Sequence, residues 1–71
     1  MITLAEQRTC EVFKDGIWQV IPFELIKKGD EFRLLEPTGE LVIDKYDKTE
    51  FIATSNVHLK KGVYEVDIQN N

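Results

Sequence analysis

Residues 22–37 read Pro-Phe-Glu-Leu-Ile-Lys-Lys-Gly-Asp-Glu-Phe-Arg-Leu-Leu-Glu-Pro, and they predict a short helical turn, a tight corner and a strand. Phe23 and Ile26 do not fit the alternation of a strand, but their spacing places both on one side of a helical turn, pointing inward. Gly29 supplies the positive φ of the corner, where a Cβ would be penalised. The Asp30 side chain can accept hydrogen bonds from nearby backbone N–H groups.

The strand that follows the corner, residues 31–35, is predicted to place Phe32 and Leu34 on one face. A turn closes this strand, since Pro37 suits the second position of a β-turn and Gly39 supplies positive φ. The short apolar run after the turn should therefore pair back on the same strand.

A hairpin is predicted over residues 10–21, centred on Asp15-Gly16. This dipeptide favours a type I′ turn, which needs positive φ at both central residues. The resulting aromatic pair, Phe13 with Trp18, should contribute about 0.5–1 kcal/mol beyond plain burial. The expected register pairs Lys14 with Ile17, Phe13 with Trp18 and Val12 with Gln19.

The remainder of the chain divides into short strands and polar loops. Thr3-Leu4-Ala5-Glu6 fits a helical capping box, while Ile2 and Leu4 would also suit an edge strand. Of these, we favour a short helix or a poorly ordered lead-in. Further strands are predicted over residues 40–44, 51–55 and 63–68, polar loops over 45–49 and 56–62, and a frayed tail over 69–71.

These elements predict one all-β domain over residues 1–71, with residues 1–9 as its lead-in. Its architecture should be a small SH3-like barrel or a twisted antiparallel sheet of about five to six short strands. A chain this short can bury only one small core. The predicted core holds Phe13 or Val12, Trp18, Val20, Phe23, Ile26, Phe32, Leu34, Val42, Phe51 or Ile52, Tyr64, Val66 and Ile68.

Composition predicts a cytoplasmic protein. The net charge of −4 disfavours general nucleic-acid binding, which rests on neutralisation of phosphates by Lys and Arg. No stretch approaches the roughly 20 apolar residues that span a bilayer, and no secretory signal is recognisable. Cys10 is the single cysteine, so an internal disulfide is impossible and a reducing compartment is expected.

Several segments carry a resemblance to a known group of proteins. They are Phe-Lys-Asp-Gly-Ile-Trp at residues 13–18, Ile-Pro-Phe-Glu at 21–24, Lys-Gly-Asp-Glu-Phe-Arg-Leu at 28–34, Glu-Pro-Thr-Gly at 36–39, Phe-Ile-Ala-Thr-Ser at 51–55 and Gly-Val-Tyr-Glu-Val at 62–66. From residue 13 onward the chain resembles small uncharacterised proteins of phages and mobile elements in bacteria. This resemblance implies the cytoplasm of a bacterium or of a phage-infected cell as the location, and it implies no established activity. Separately, residues 26–30 resemble a corner common to small β-barrels, including SH3-like and intein-like folds, which implies backbone geometry alone.

No pattern indicates catalysis, a metal or a cofactor, so we predict that the protein is not an enzyme. A nucleophilic pair of Cys10 and His58 would need direct contact and an orienting group, and we expect a buried thiol and a loop histidine instead. Asp44, Asp47 and Glu50 lack the spacing of a calcium loop and should form an ordinary solvated loop. No glycine-rich loop precedes a helix, which leaves no phosphate cradle.

Binding is therefore the predicted function. The first hypothesis is a phage-type protein that acts by protein–protein interaction and inhibits a host defence protein. Its contact would be an exposed strand edge at residues 40–44 or 63–68. The same edge could pair with a second copy to form a homo-oligomer. The alternative is a small barrel that binds nucleotide or nucleic acid through clustered lysines and stacked aromatics. A mixed-charge solvated surface would account for the same lysines without any ligand. The candidate binding residues are Trp18, Lys27, Lys28, Arg33, Lys60, Lys61 and Tyr64.

Overall fold

The protein is all-β in the computed structural model, which describes residues 2–3 and 7–69. Those residues form two antiparallel sheets and contain no α-helix. The strands are β1 (Ile2–Thr3), β2 (Thr9–Lys14), β3 (Ile17–Val20), β4 (Glu31–Leu35), β5 (Phe51–Ile52), β6 (His58–Lys60) and β7 (Val63–Val66), with a 3-10 helix at Phe23–Leu25.

The larger sheet has four strands in the order β3-β2-β4-β5, and the smaller has three in the order β1-β7-β6. A single antiparallel bridge between Ala53 and Ile68 joins the end of β5 to the chain beyond β7. On either side of that bridge, the Thr54 N–H donates to the Asp67 carbonyl over 2.8 Å and the Gln69 N–H donates to the Ile52 carbonyl over 2.9 Å. Neither sheet closes on itself within the described residues.

The first hairpin has the predicted register. Lys14 pairs with Ile17, Phe13 with Trp18 and Val12 with Gln19. The turn residues Asp15 and Gly16 have φ values of 54° and 82°, as a type I′ turn requires. This local signal fixes which side chains of β2 and β3 share a face.

The central turn and corner also follow the prediction. The 3-10 helix places Phe23 in the core, and Ile26 is buried directly after it. Gly29 has a φ of 96°, and an Asp30 carboxylate oxygen accepts the Lys27 N–H over 2.9 Å. The chain then enters β4, where Phe32 and Leu34 are fully buried. The buried cluster is Cys10, Phe23, Ile26, Phe32, Leu34, Phe51, Ala53 and Val66.

The predicted core is wrong at two positions, because Val20 is 68% exposed and Tyr64 is 42% exposed. Val12 faces the core, so the hairpin register turns Val20 outward together with Phe13 and Trp18. Tyr64 shares a sheet face with buried Val66 but lies nearer the hairpin tip, beyond the end of the core. Where two residues were open, the core takes Val12 rather than Phe13 and Phe51 rather than Ile52; Trp18, Val42 and Ile68 are half-buried.

The predicted strand over residues 40–44 does not form. Its pairing with β4 is limited to a bridge between Leu41 and Leu35 and a 2.9 Å hydrogen bond from the Val42 N–H to the Leu34 carbonyl. The other half of that edge of β4 is occupied by β5, and Asp44 begins a turn immediately afterwards. The predicted strand over residues 51–55 is likewise shorter, since regular pairing ends at Ile52 and only Ala53 continues as a bridge.

Two further predictions fail at the smaller sheet. The predicted loop over residues 56–62 contains β6, because Lys61 and Gly62 form a tight turn with φ values of 51° and 79° that lets residues 58–60 pair with β7. Ile2–Thr3 is an edge strand on β7 rather than the start of a helix. The rest of the proposed capping box, residues 4–6, lies outside the described residues, as do Met1 and residues 70–71 of the predicted tail.

Candidate interaction face

The four-stranded sheet has one side on the core and one side toward solvent. Because Val12, Phe32 and Phe51 point into the core, their neighbours along each strand point away from it. We call this second side the outer face. Its side chains are Thr9, Glu11, Phe13, Trp18, Val20, Glu31, Arg33, Leu35 and Ile52.

Near the tip of the first hairpin, the outer face has a stack of Phe13, Trp18 and Arg33. The two rings are tilted at 56° with centroids 5.1 Å apart, and the Arg33 guanidinium carbon lies 4.2 Å from the Trp18 ring centroid. That distance is within the range of a cation–π interaction. The Arg33 Nε–H also donates to a Glu11 carboxylate oxygen over 2.7 Å. Contacts to two neighbours therefore hold the Arg33 side chain in one arrangement.

Aliphatic side chains extend this surface toward both edges of the sheet. Val20 on β3 is 68% exposed, Ile52 on β5 is 45% exposed, and the Phe13 ring itself is 41% exposed. Single exposed apolar residues are common in soluble proteins. Several on one face, together with a half-buried tryptophan, are typical of a contact surface.

Acidic groups border the apolar residues. A hydrogen bond with the Glu50 side chain raises the pKa of Glu31, with smaller contributions from burial and from the negative charge of Glu50. The hydrogen bond therefore favours the protonated form of the Glu31 carboxyl group. With Glu11 bound to Arg33, the outer face has an excess of negative charge on the β4–β5 side.

Of the seven predicted binding residues, the structure brings Trp18 and Arg33 into contact. Lys27 and Lys28 are exposed at the corner before β4, where the Lys28 N–H donates to the Asn56 side-chain oxygen over 2.9 Å. Lys60 and Lys61 lie at the tip of the β6–β7 hairpin in the other sheet.

No hydrogen bond, ion pair or ring contact among residues 2–3 and 7–69 joins the two lysine pairs to each other. Tyr64 is on the β6–β7 hairpin together with Lys60 and Lys61, and it pairs with Leu59.

Sequence reasoning missed Glu11, and it placed Val20 in the core instead of on the outer face. The hairpin register contained the necessary signal. Once Val12 is assigned to the core, the pairing set by Asp15-Gly16 sends Glu11 and Val20 to the opposite side.

The groups considered for catalysis have other surroundings. Burial raises the pKa of the Cys10 thiol to about 12, with additions from the negative charges of Glu11 and Asp30. At neutral pH this sulfur is therefore a protonated, weak nucleophile. His58 lies on β6 with its Nε2 atom 2.9 Å from a Glu65 carboxylate oxygen, so Glu65 is its side-chain partner.

The acidic loop after residue 43 has a structural role. One Asp44 carboxylate oxygen accepts the backbone N–H groups of Tyr46 and Lys48, each over 2.8 Å. Within the described part of the chain, no group of three or more His, Cys, Asp or Glu residues is arranged to hold a metal ion.

Comparisons with protein-family models, with curated protein sequences and with solved structures gave no match to this chain. The resemblance to phage and mobile-element proteins therefore stays a prediction. In the part of the chain that the structure describes, no helix has the length and apolar character needed to cross a membrane.

Proposed function

We propose that this is a non-enzymatic binding protein that acts by occupying another protein, and that the outer face is its contact surface. The observation that carries this proposal is the pair of exposed Phe13 and half-buried Trp18, with Arg33 held over the Trp18 ring. Tryptophan and arginine are among the residues that contribute most to binding energy at protein interfaces. Because Arg33 is already held in place, binding would cost little side-chain entropy there.

The charges of the outer face favour a partner with an apolar centre and a basic rim. Glu31 and Glu50 lie at one side, while the charge of Arg33 is balanced by Glu11. Complementary charges of this kind increase the association rate and exclude wrong partners. The same arrangement speaks against nucleic acid, since phosphates would approach carboxylates and the cation of the stack is already engaged.

The family resemblance extends the proposal to a host protein, in particular a defence protein that binding would inhibit. The single cysteine supports a reducing cytoplasm as the place of action. The bridge from Ala53 to Ile68, which joins the two sheets, supports an SH3-like arrangement of the strands.

The test is capture of partners from bacterial lysate, with and without nuclease treatment, by wild-type protein, by Ile52→Lys and by Val63→Lys. Ile52 and Val63 are both β-branched strand residues and both are 45% exposed, but only Ile52 belongs to the outer face. A lysine at residue 52 would repel a basic rim and bury a charge at the contact.

We expect one dominant host protein that is retained by Val63→Lys and lost, or weakened at least about tenfold, with Ile52→Lys. Equal retention by both variants would show that the outer face is not the contact surface. Nucleic acid as the only bound species, bound more tightly by Ile52→Lys, would favour the alternative function, because the added cation would then help binding.

A further inference from the structure

We propose that β3 is a self-association edge, at which the chain pairs with β3 of a second copy and joins two four-stranded sheets into one. In the four-stranded sheet β3 is the terminal strand, and no described strand pairs with its far edge. The inference does not rest on the protein-binding proposal, because the edge and the outer face are different surfaces of the sheet.

The backbone groups that face this open edge follow from the hairpin register. The Ile21 N–H donates to the Cys10 carbonyl over 3.1 Å, and hydrogen-bonded and non-hydrogen-bonded pairs alternate along antiparallel strands. Ile17, Gln19 and Ile21 therefore direct their N–H and C=O groups toward β2. The corresponding groups of Trp18 and Val20 point away from the sheet, into solvent.

These four groups fit one symmetric antiparallel register. If Trp18 of one copy lies opposite Val20 of the second, each pair exchanges two hydrogen bonds and a two-fold axis passes between the two Gln19 residues. Placing Val20 opposite its own copy would set Trp18 against Pro22, which has no N–H. Placing Trp18 opposite its own copy would set Val20 against Gly16 in the turn.

The side chains are compatible with this pairing. Trp18 would lie beside Val20 of the second copy on the outer face, an aromatic and β-branched combination that stabilises antiparallel strands. The four residues of β3 carry no charge. Although each copy has a net charge of −4, no like charges would therefore lie directly across the contact between the two β3 strands.

The other edges of the two sheets contrast with β3. Both β1 and β5 are only two residues long, and β6 is a three-residue strand that ends in Lys60 and is followed by Lys61. Short length and lysine are devices by which proteins protect strand edges from pairing. β3 is four residues long, with no lysine or proline within it, so it lacks both forms of protection.

The experiment follows oligomeric state by sedimentation velocity over a concentration series, together with backbone amide exchange at low and high concentration. We expect dimer to increase with concentration, and we expect the Trp18 and Val20 amides to exchange at least about tenfold more slowly at high concentration. The Gln19 amide should change least, because its bond to β2 is present in the monomer. A protein that stays monomeric, or whose Trp18 and Val20 amides exchange at a concentration-independent rate, overturns the proposal.

Two variants separate strand pairing from other association. Val20→Lys should leave the fold intact, since the side chain is 68% exposed, and should weaken dimerisation at least about tenfold. Val63→Lys is the matched control and should dimerise like wild type. A dimer that survives Val20→Lys refutes the assigned edge.

A synthetic chain with an N-methylated Val20 keeps the side chain but removes one N–H of the open edge. Its dimer should be weakened as well, and an unchanged dimer would refute pairing through the backbone. Ile52→Lys should leave dimerisation unchanged, so a failure of the protein-binding proposal is distinguishable from a failure of this one.

Discussion

Two phenylalanines on opposite sides of the same sheet give the sharpest test of the fold. Phe32 has no exposed surface and its ring centroid lies 5.6 Å from that of Phe51. Phe32→Ala should cost about 3–5 kcal/mol, because it removes the ring and leaves a cavity in the core. Phe13 also belongs to an aromatic pair but is 41% exposed. Phe13→Ala should cost about 1–2 kcal/mol, from partial burial plus the ring contact.

The free energy of unfolding of each variant can be measured by urea titration followed by far-UV circular dichroism. A domain of this size has a free energy of unfolding of about 4–10 kcal/mol, so Phe32→Ala should be close to unfolded and Phe13→Ala should fold. The melting temperatures should differ by about 10–20 °C. If Phe32→Ala is too unstable to measure, Phe32→Leu at about 1–2 kcal/mol replaces it. Equal costs for the two alanine variants, or a larger cost at Phe13, would refute the assignment of the two faces.

Three further changes test individual contacts. The hydrogen bond with Glu65 raises the pKa of His58 above its ordinary value of 6.5. The stability that protonated His58 adds is therefore complete below pH 6.5 and declines as pH rises through the raised pKa. Urea titrations should therefore show a larger loss on His58→Gln at pH 5.5 than at pH 8.5. Glu31 has a raised pKa because of Glu50, so ionisation of Glu31 destabilises the fold. Glu50→Gln should therefore increase the free energy of unfolding at pH 7, and this gain should disappear near pH 4, where Glu31 is protonated. Gly29 has a φ of 96°, so Gly29→Ala should cost about 1–2 kcal/mol in thermal unfolding.

Each of these three predictions has a result that would contradict it. A loss on His58→Gln that does not vary with pH would show that the protonated ring adds nothing at Glu65. Destabilisation by Glu50→Gln at pH 7 would show that the carboxyl pair is not under repulsion there. Gly29→Asn should cost less than Gly29→Ala, because asparagine tolerates positive φ better. A Cβ at residue 29 would meet no atom within 4 Å, so equal costs would contradict the assignment of the cost to positive φ.

Local signals account for the parts of the fold that sequence predicts well. Asp15-Gly16 sets the hairpin register through two φ values, and Gly29 sets the corner through one. In β4 the alternation of Phe32 and Leu34 with Glu31 and Arg33 is enough to identify the buried face. Each of these inferences depends on a few adjacent residues and on steric rules that hold in any context.

The failures involve pairing between distant segments. Residues 40–44 have the composition of a strand, but β5 takes half of the edge that they would need. Residues 58–60, His-Leu-Lys, form a strand because the turn at Lys61-Gly62 brings them against β7 and places His58 beside Glu65. Alternation predicts that Glu65 faces solvent, yet it is 7% exposed. Its burial depends on partners that short-range patterns do not reveal.

The candidate site shows the same division. Trp18 and Arg33 could be named from residue type, because aromatic and guanidinium groups are frequent in binding surfaces. Their contact with each other could not, since it requires the pairing of β2 with both β3 and β4. Clustering of the two lysine pairs requires their turns to lie side by side, and the structure places one turn before β4 and the other at the tip of the β6–β7 hairpin.

Alkylation of the buried Cys10 thiol can report how often the folded structure opens. An alkylating reagent can reach this sulfur only when β2 separates from its neighbours, and the thiolate needed for reaction is scarce until the chain leaves the core. With no second cysteine to compete, the rate of mass increase on alkylation reports the fraction of molecules that are open. That rate can be read in a crude extract without purification or a label. A partner that binds only the folded chain should slow it in proportion to its occupancy.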